Sequence, residues 1–126
     1  MEIKPVFTEN APAPIGPYVQ AKMAGDTLYI SGQLGIDMKS GELADGVEAQ
    51  AECAMENLAA ILKCQDLGFD NVVKTTIFLA DMGDFAAVNA VYAKYFGEGK
   101  YPARSCIQVA ALPKGGLVEV EAVAVR

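Results

Sequence analysis

The chain has 126 residues, a length for one domain whose folding would take about two thirds of its surface out of water, from ~19,000 to ~6,500 Å². Ten Lys plus Arg against sixteen Asp plus Glu leave a net charge of −6, with no basic cluster of the kind a phosphate backbone requires. The sequence contains no His, which excludes a Ser-His or Cys-His nucleophile pair, a His proton shuttle and a His-ligated metal.

The N-terminal stretch MEIKPVFTENAPAPIGP has neither a basic nor an apolar leader region, and no apolar run approaches the ~18 residues of a membrane span. Three cysteines, Cys53, Cys64 and Cys106, show no CxxC spacing and read as reduced thiols. These features predict a soluble, cytoplasmic protein that binds neither nucleic acid nor membrane. Apolar residues make up 52% of the chain and the mean hydropathy is +0.23, high for a small acidic monomer. Part of that apolar surface is expected to close against other copies of the chain.

In chain order, residues 3–7 predict a short edge strand interrupted by Pro5. The stretch Asn10–Pro17, with Pro12, Pro14, Gly16 and Pro17, predicts an irregular loop. Strands over 18–24 and 27–34 flank Gly25-Asp26, a two-residue hairpin signal. Residues 35–44 read as a surface loop. Asp45 and Glu48 have the spacing of a capping box, and the helix they open carries Val47, Ala51, Met55, Leu58 and Leu62 as one apolar stripe. Gly68 is placed as its left-handed stop. Residues 71–80, rich in β-branched side chains, predict a buried strand. Asp84 is expected to cap a second helix with the stripe Phe85, Val88, Tyr92 and Phe96, ended by Gly97. Strands over 104–111 and 117–125 close the chain around Pro113–Gly116. The order βββ-α-β-α-ββ predicts an α+β fold, one sheet with two helices on one face. Its other face is left for self-association.

Several residues stand out chemically. Alternation puts Arg104, Cys106 and Gln108 on one side of a strand. An Arg in such a strand needs an anion. A bound carboxylate would fit its planar fork, at roughly 1.5–3 kcal/mol per charged hydrogen bond, and an internal salt bridge to Glu119 or Glu121 would serve as well. Those two acids share a face of the last strand, as an acid/base pair or as a solvated face. A tight hairpin of the last two strands would hold Glu119 opposite Ala110, about 20 Å from Arg104. A shared site therefore needs a different strand pairing or a second subunit. Asn89 lies within the apolar stripe of its helix, a buried amide that requires a partner in the backbone or in a cleft. Tyr18 follows a rigid Ile-Gly-Pro turn and can present a hydroxyl, or serve as an ordinary strand aromatic. Ser31-Gly32-Gln33 ends a strand with a glycine that lets a ligand approach backbone N–H groups. With no His to activate it, Cys106 reads as a small core residue, and Cys53 and Cys64 read as helix packing.

The blocks APAPIGPYVQA (11–21), YISGQLG (29–35), VVKTTIFLADMGDFAAVNAVYAKYF (72–96) and YPARSCIQVAALPKGGLVEVEAVAV (101–125) resemble the RidA/YjgF family of reactive intermediate (imine/enamine) deaminases, essentially end to end. The resemblance implies a single RidA-like domain over 1–126, a chorismate-mutase-like α+β fold with a six-stranded mixed sheet, and a homotrimer with a ligand cleft at each subunit boundary. It also implies substrates such as 2-aminoacrylate and 2-iminobutanoate, released by pyridoxal-phosphate dehydratases and hydrolysed to 2-oxo acids and ammonia without metal, nucleotide or redox cofactor. Arg104 falls on the family's active arginine, a carboxylate clamp, and Glu119 on the residue that positions water. Tyr18, Ser31, Gly32, Asn89 and Cys106 fall on its cleft positions. Two departures touch the rim: the segment FGEGKYPARS is short, and Gln108 stands where an acid is common. A non-catalytic trimer that binds small 2-oxo or amino acids, or acts as a holdase, would use the same arginine. RNA cleavage, attached to some family names, fits poorly with a charge of −6 and no His.

Overall fold

Alternating apolar residues build six strands into one sheet, and the apolar stripes of two helices cover one of its faces. The computed structural model describes residues Met1 to Arg126. In chain order the elements are β1 (Ile3–Val6), β2 (Ala21–Ala24), β3 (Thr27–Leu34), β4 (Ile36–Asp37), β5 (Glu42–Leu43), α1 (Val47–Lys63), β6 (Val72–Leu79), α2 (Phe85–Ala93), β7 (Ala103–Gln108) and β8 (Val118–Val125). The large sheet runs β1-β2-β3-β8-β6-β7. Its ladders are antiparallel except β6–β7, which is parallel. This is the α+β arrangement expected, with a six-stranded mixed sheet. No helix is long and apolar enough to cross a membrane.

The Gly25-Asp26 hairpin forms as its residues demand: Ala24 pairs with Thr27, and Gly25 takes φ +60° at the first turn position. The core gathers Leu28 and Ile30 of β3, Ile77 and Leu79 of β6, and Val118, Val120, Ala122 and Ala124 of β8 beneath Ala54, Met55, Leu58, Ile61 and Leu62 of α1.

The local signals failed at the element ends. The strand expected from residue 18 begins at Ala21, because Gln20 turns its amide inward to serve the proline-rich loop. Its Oε1 accepts from Thr8 N, and its Nε2 donates to the Thr8, Ala11 and Pro12 carbonyls. Residues 35–44 contain the short β4–β5 ladder, because Ile36 is buried rather than exposed. At the start of α1 the capping position is Gly46 at φ +90°, with no side-chain cap, so Asp45 does not close a capping box. The left-handed residue after α1 is Asp66 at φ +58°, while Gly68 is extended. Leu67 N bonds to Leu62 O and Asp66 N to Lys63 O, a Schellman closure two residues earlier than the glycine suggested. Asp84 sits at the N-cap of α2 without a side-chain bond, whereas Asp81 accepts from Gly83 N at 2.8 Å in the preceding turn. The helix itself ends at Ala93, short of Gly97, where Lys94, Tyr95 and Phe96 tighten into bonds three residues back.

One glycine holds α1 to the sheet. A methyl on Gly35 would overlap the Cα and carbonyl oxygen of Gln50, and helix backbone cannot swing aside as a side-chain tip can. Gln50 is itself fixed, its Oε1 accepting from Leu117 N and its Nε2 donating to Ala44 O. Gly35→Ala is therefore expected to cost about 3 kcal/mol. Urea denaturation with an unchanged slope would show it, and a variant within 0.5 kcal/mol of wild type, about the size of a surface change, would refute it.

Candidate active site

β7 is an edge strand, and its ladder with β6 decides where Arg104 points. Arg104, Cys106 and Gln108 pair with Thr75, Ile77 and Leu79. Those three are buried beneath the helices, so Arg104 stands on the helix-covered face. There its guanidinium lies between two rings, with Cζ 5.5 Å from the centroid of Phe85 and 5.0 Å from that of Tyr92. Nη1 donates to Asn89 Oδ1 at 2.6 Å. Phe85, Asn89 and Tyr92 recur at i, i+4 and i+7, one face of α2, which is why three residues of one helix can surround a single group. The rings stabilise the cation through their faces and use none of its N–H donors. A guanidinium carries five such donors, and only the bond to Asn89 occupies one within the protein.

No carboxylate neutralises this arginine. The chain's two ion pairs are Lys4–Glu2 and Lys94–Glu52, so the internal bridge to Glu119 or Glu121 does not exist. Beside the guanidinium opens a pocket of 270 Å³ lined by Asn89, Tyr92, Ala93, Tyr101, Pro102 and Arg104. The edge adds a backbone donor. Val109 N donates to Leu79 O, and alternation along the strand turns the Cys106 N–H the opposite way, out from the unpaired edge. The Cys106 thiol packs against the core. Burial pushes its pKa up and Arg104 only partly offsets this, so the sulfur is a thiol at neutral pH. Gln108 has a local role, accepting from Met82 N at 2.7 Å.

A second cluster forms around Glu119. Its carboxyl lies directly over Gly32, where a Cβ would come within 2.7 Å of Glu119 Cδ. A register shift between Ile30 and Gln33 takes Ser31 and Gly32 out of the β3–β8 ladder at this point. Ser31 is held by its hydroxyl on Val19 O at 2.7 Å and its N–H on Gln20 O. Tyr18 is 47% exposed, and its hydroxyl accepts from Ile15 N. Tyr18, Gly32 and Glu119 share the wall of a 50 Å³ pocket. Burial first, and the neighbouring Glu121 second, raise the Glu119 pKa above the ordinary carboxylate value of 4.5.

The two clusters are separate within one chain. The last two strands do not pair as a hairpin, because β6 lies between them. Arg104 aligns with Thr75 of β6 and Glu119 with Phe78, three positions along. An odd offset places them on opposite faces of the sheet. The different pairing thus shortens their separation along the strands but leaves the sheet between them. Arg104, Asn89 and Cys106 form one group, and Tyr18, Ser31, Gly32 and Glu119 the other.

A family model described as "Endoribonuclease L-PSP" matches residues 8–126, a span that includes all seven candidate residues. The chain is 53% identical to the mouse 2-iminobutanoate/2-iminopropanoate deaminase over 124 residues, covering 98% of this chain and 91% of that one. The chain belongs to the RidA/YjgF (L-PSP) family. Among RidA/YjgF structures, RidA from an Antarctic Psychrobacter superposes with a TM-score of 0.94 at 46% identity, covering 98% of this chain and 99% of that one. Escherichia coli TdcF, crystallised with bound serine, superposes at 0.92 and 41% identity over 98% of each chain.

Sequence patterns in this RidA/YjgF chain concealed three residues of the arginine group. Phe85 and Tyr92 read as core stripe, yet both face the guanidinium, and Thr75 read as one more residue of a buried strand. The available signal was the spacing of two aromatics around Asn89. Around Glu119, the close approach makes Gly32 testable. Because the atoms a methyl would meet belong to the tip of a flexible side chain, Gly32→Ala should fold with a Tm near wild type while displacing the Glu119 carboxyl. Activity is expected to fall about 10²-fold, and a variant as active as wild type would show that the carboxyl's place is immaterial.

Proposed function

We propose that this protein is an imine/enamine deaminase that hydrolyses 2-aminoacrylate/2-iminopropanoate and 2-iminobutanoate to 2-oxo acids and ammonia. The observation that carries the proposal is an arginine without an acidic partner, held by Asn89 between two rings beside a small pocket. A permanently charged fork with free donors fits a small carboxylate. The name of the mouse relative supplies the matching substrate class.

The chemistry asks little of the protein. These imines hydrolyse in water unaided, so a catalyst needs to bind, orient and manage protons. Arg104 clamps the carboxylate, and the outward N–H of Cys106 holds its other side. Glu119, with its raised pKa, orients a water towards the imine carbon and takes its proton. The carboxyl returns that proton to the nitrogen to complete the carbinolamine. In its collapse the hydroxyl proton passes through Glu119 to the amine as the C–N bond breaks, so ammonia leaves and the carbonyl forms. Tyr18, Ser31 and Asn89 order the surroundings. No step uses a metal or cofactor.

Bringing Glu119 to Arg104 requires a second copy. A chorismate-mutase-like homotrimer would pack the uncovered sheet faces around its centre and join Arg104 of one protomer to Glu119 of its neighbour. That face supports the reading, because Tyr29 is 52% exposed and Ile107 47%. The ribonuclease description is not carried over, since a net charge of −6 and the lack of His suit neither RNA binding nor its general acid/base cleavage. The test is a coupled assay in which a dehydratase generates 2-aminoacrylate. Added protein should speed pyruvate release above the spontaneous rate. Thermal protection by pyruvate with no acceleration would support the non-catalytic binding protein instead.

A further inference from the structure

β6 turns Thr75, Ile77 and Leu79 towards the core, and the first of them carries a hydroxyl where valine would have the same shape. Thr75 is 1% exposed and Tyr92 5%. Their hydroxyls bond to each other at 2.7 Å. Replacing both partners of such a pair by apolar groups of the same shape is close to neutral for stability, so the core gains little from having this bond. What it does achieve is local. It pins the far end of the Tyr92 side chain, and the face of that ring lies 5.0 Å from Arg104 Cζ. Thr75 is also the ladder partner of Arg104. The hydroxyl that anchors the ring and the side chain that leans on it therefore hang from adjacent points of the same two strands.

We propose that the Thr75–Tyr92 hydroxyl pair is a positioning device for the arginine clamp: it sets the ring against which the guanidinium rests, and hence the angle at which the fork meets a carboxylate. Tyr92 presents its ring to the pocket and Thr75 lies behind it, so neither hydroxyl has to touch substrate. The inference rests on Arg104 binding the substrate carboxylate, and the experiment separates the two claims.

The double variant Thr75→Val/Tyr92→Phe keeps the shape and leaves no orphaned hydroxyl. It is expected to melt close to wild type, yet to raise KM for the imine and the Kd for pyruvate together by about tenfold, with kcat little changed. Thr75→Val alone should lower Tm as well, because the Tyr92 hydroxyl loses its partner, and Thr75→Ser should restore the KM. A double variant with wild-type KM and pyruvate Kd overturns the positioning role, as does a Thr75→Ser protein that binds no better than Thr75→Val. Should the double variant fail to fold, Tyr92→Phe alone carries the same reading, since it removes only one oxygen. Arg104→Ala measured alongside tells the failures apart. Wild-type pyruvate binding there would overturn the clamp itself, whereas its loss beside a normal double variant would overturn only the positioning.

Discussion

Arg104→Ala is expected to abolish acceleration of 2-aminoacrylate hydrolysis. Two charged hydrogen bonds at roughly 1.5–3 kcal/mol each correspond to a loss of about 10² to 10⁴ in kcat/KM. Pyruvate release should fall to the spontaneous rate measured without protein. Arg104→Lys keeps the charge and loses the planar fork, and lysine cannot lie flat between Phe85 and Tyr92 as the guanidinium does. It should recover only a small part of the activity. Neither change should unfold the protein. The lost hydrogen bond leaves Asn89 partly exposed, where water can replace the guanidinium, and no salt bridge is broken. Equal acceleration by Arg104→Ala and wild type would end the enzymatic proposal.

Glu119→Gln should be nearly as damaging to turnover, by about 10² to 10⁴ if it removes a positioned base, and it carries a second signature in stability. The folded state raises the Glu119 pKa above its unfolded value, through burial and then Glu121. Wild type and variant should match at low pH, where the carboxyl is protonated in both states. As pH rises through the raised pKa, ionisation penalises the folded wild type and not the glutamine variant. The variant should therefore be the more stable protein at neutral pH and the less active one. The acid limb of the wild-type pH–rate profile should be displaced upward from the ordinary carboxylate value, and Glu121→Gln should move it down. A limb unmoved by either substitution would remove Glu119 from the proton transfer.

A site shared between protomers would make the same two variants informative together. If each boundary draws Arg104 from one protomer and Glu119 from the next, co-expression of the two inactive chains restores about a quarter of the boundaries. Activity in the mixed assembly, absent from either parent, would place the residues on different protomers. Its absence, with both parents folded, would argue against a shared site.

Much of this was legible in the chain itself, for reasons of range. Strand periodicity is local, so the grouping of Arg104 with Cys106 and Gln108, and of Glu119 with Glu121, needed only alternation. Gly25 declared its hairpin because the turn requires a positive φ. The stripe from Val47 to Leu62 declared α1 because a helix buries one face. The absence of His restricted the chemistry on composition alone. Motif blocks from Ala11 to the last strand carried the family.

Strand neighbours are not local, and there the residues alone did not decide. β7 and β8 follow one another in sequence, yet β6 separates them. The strand–helix–strand order of β6, α2 and β7 was the available hint, since parallel neighbours need a helical crossover. Only the assembled sheet put Arg104 on the helix-covered face and Glu119 on the other, because the parity of their offset has meaning once both ladders to β6 are known. Only packing showed that Phe85, Asn89 and Tyr92 close around the guanidinium, and that Asp66 rather than Gly68 ends α1. The sequence by itself determined which side chains could perform the chemistry. The tertiary structure decided which of them meet, because contact between residues far apart in the chain is set by how the whole core closes.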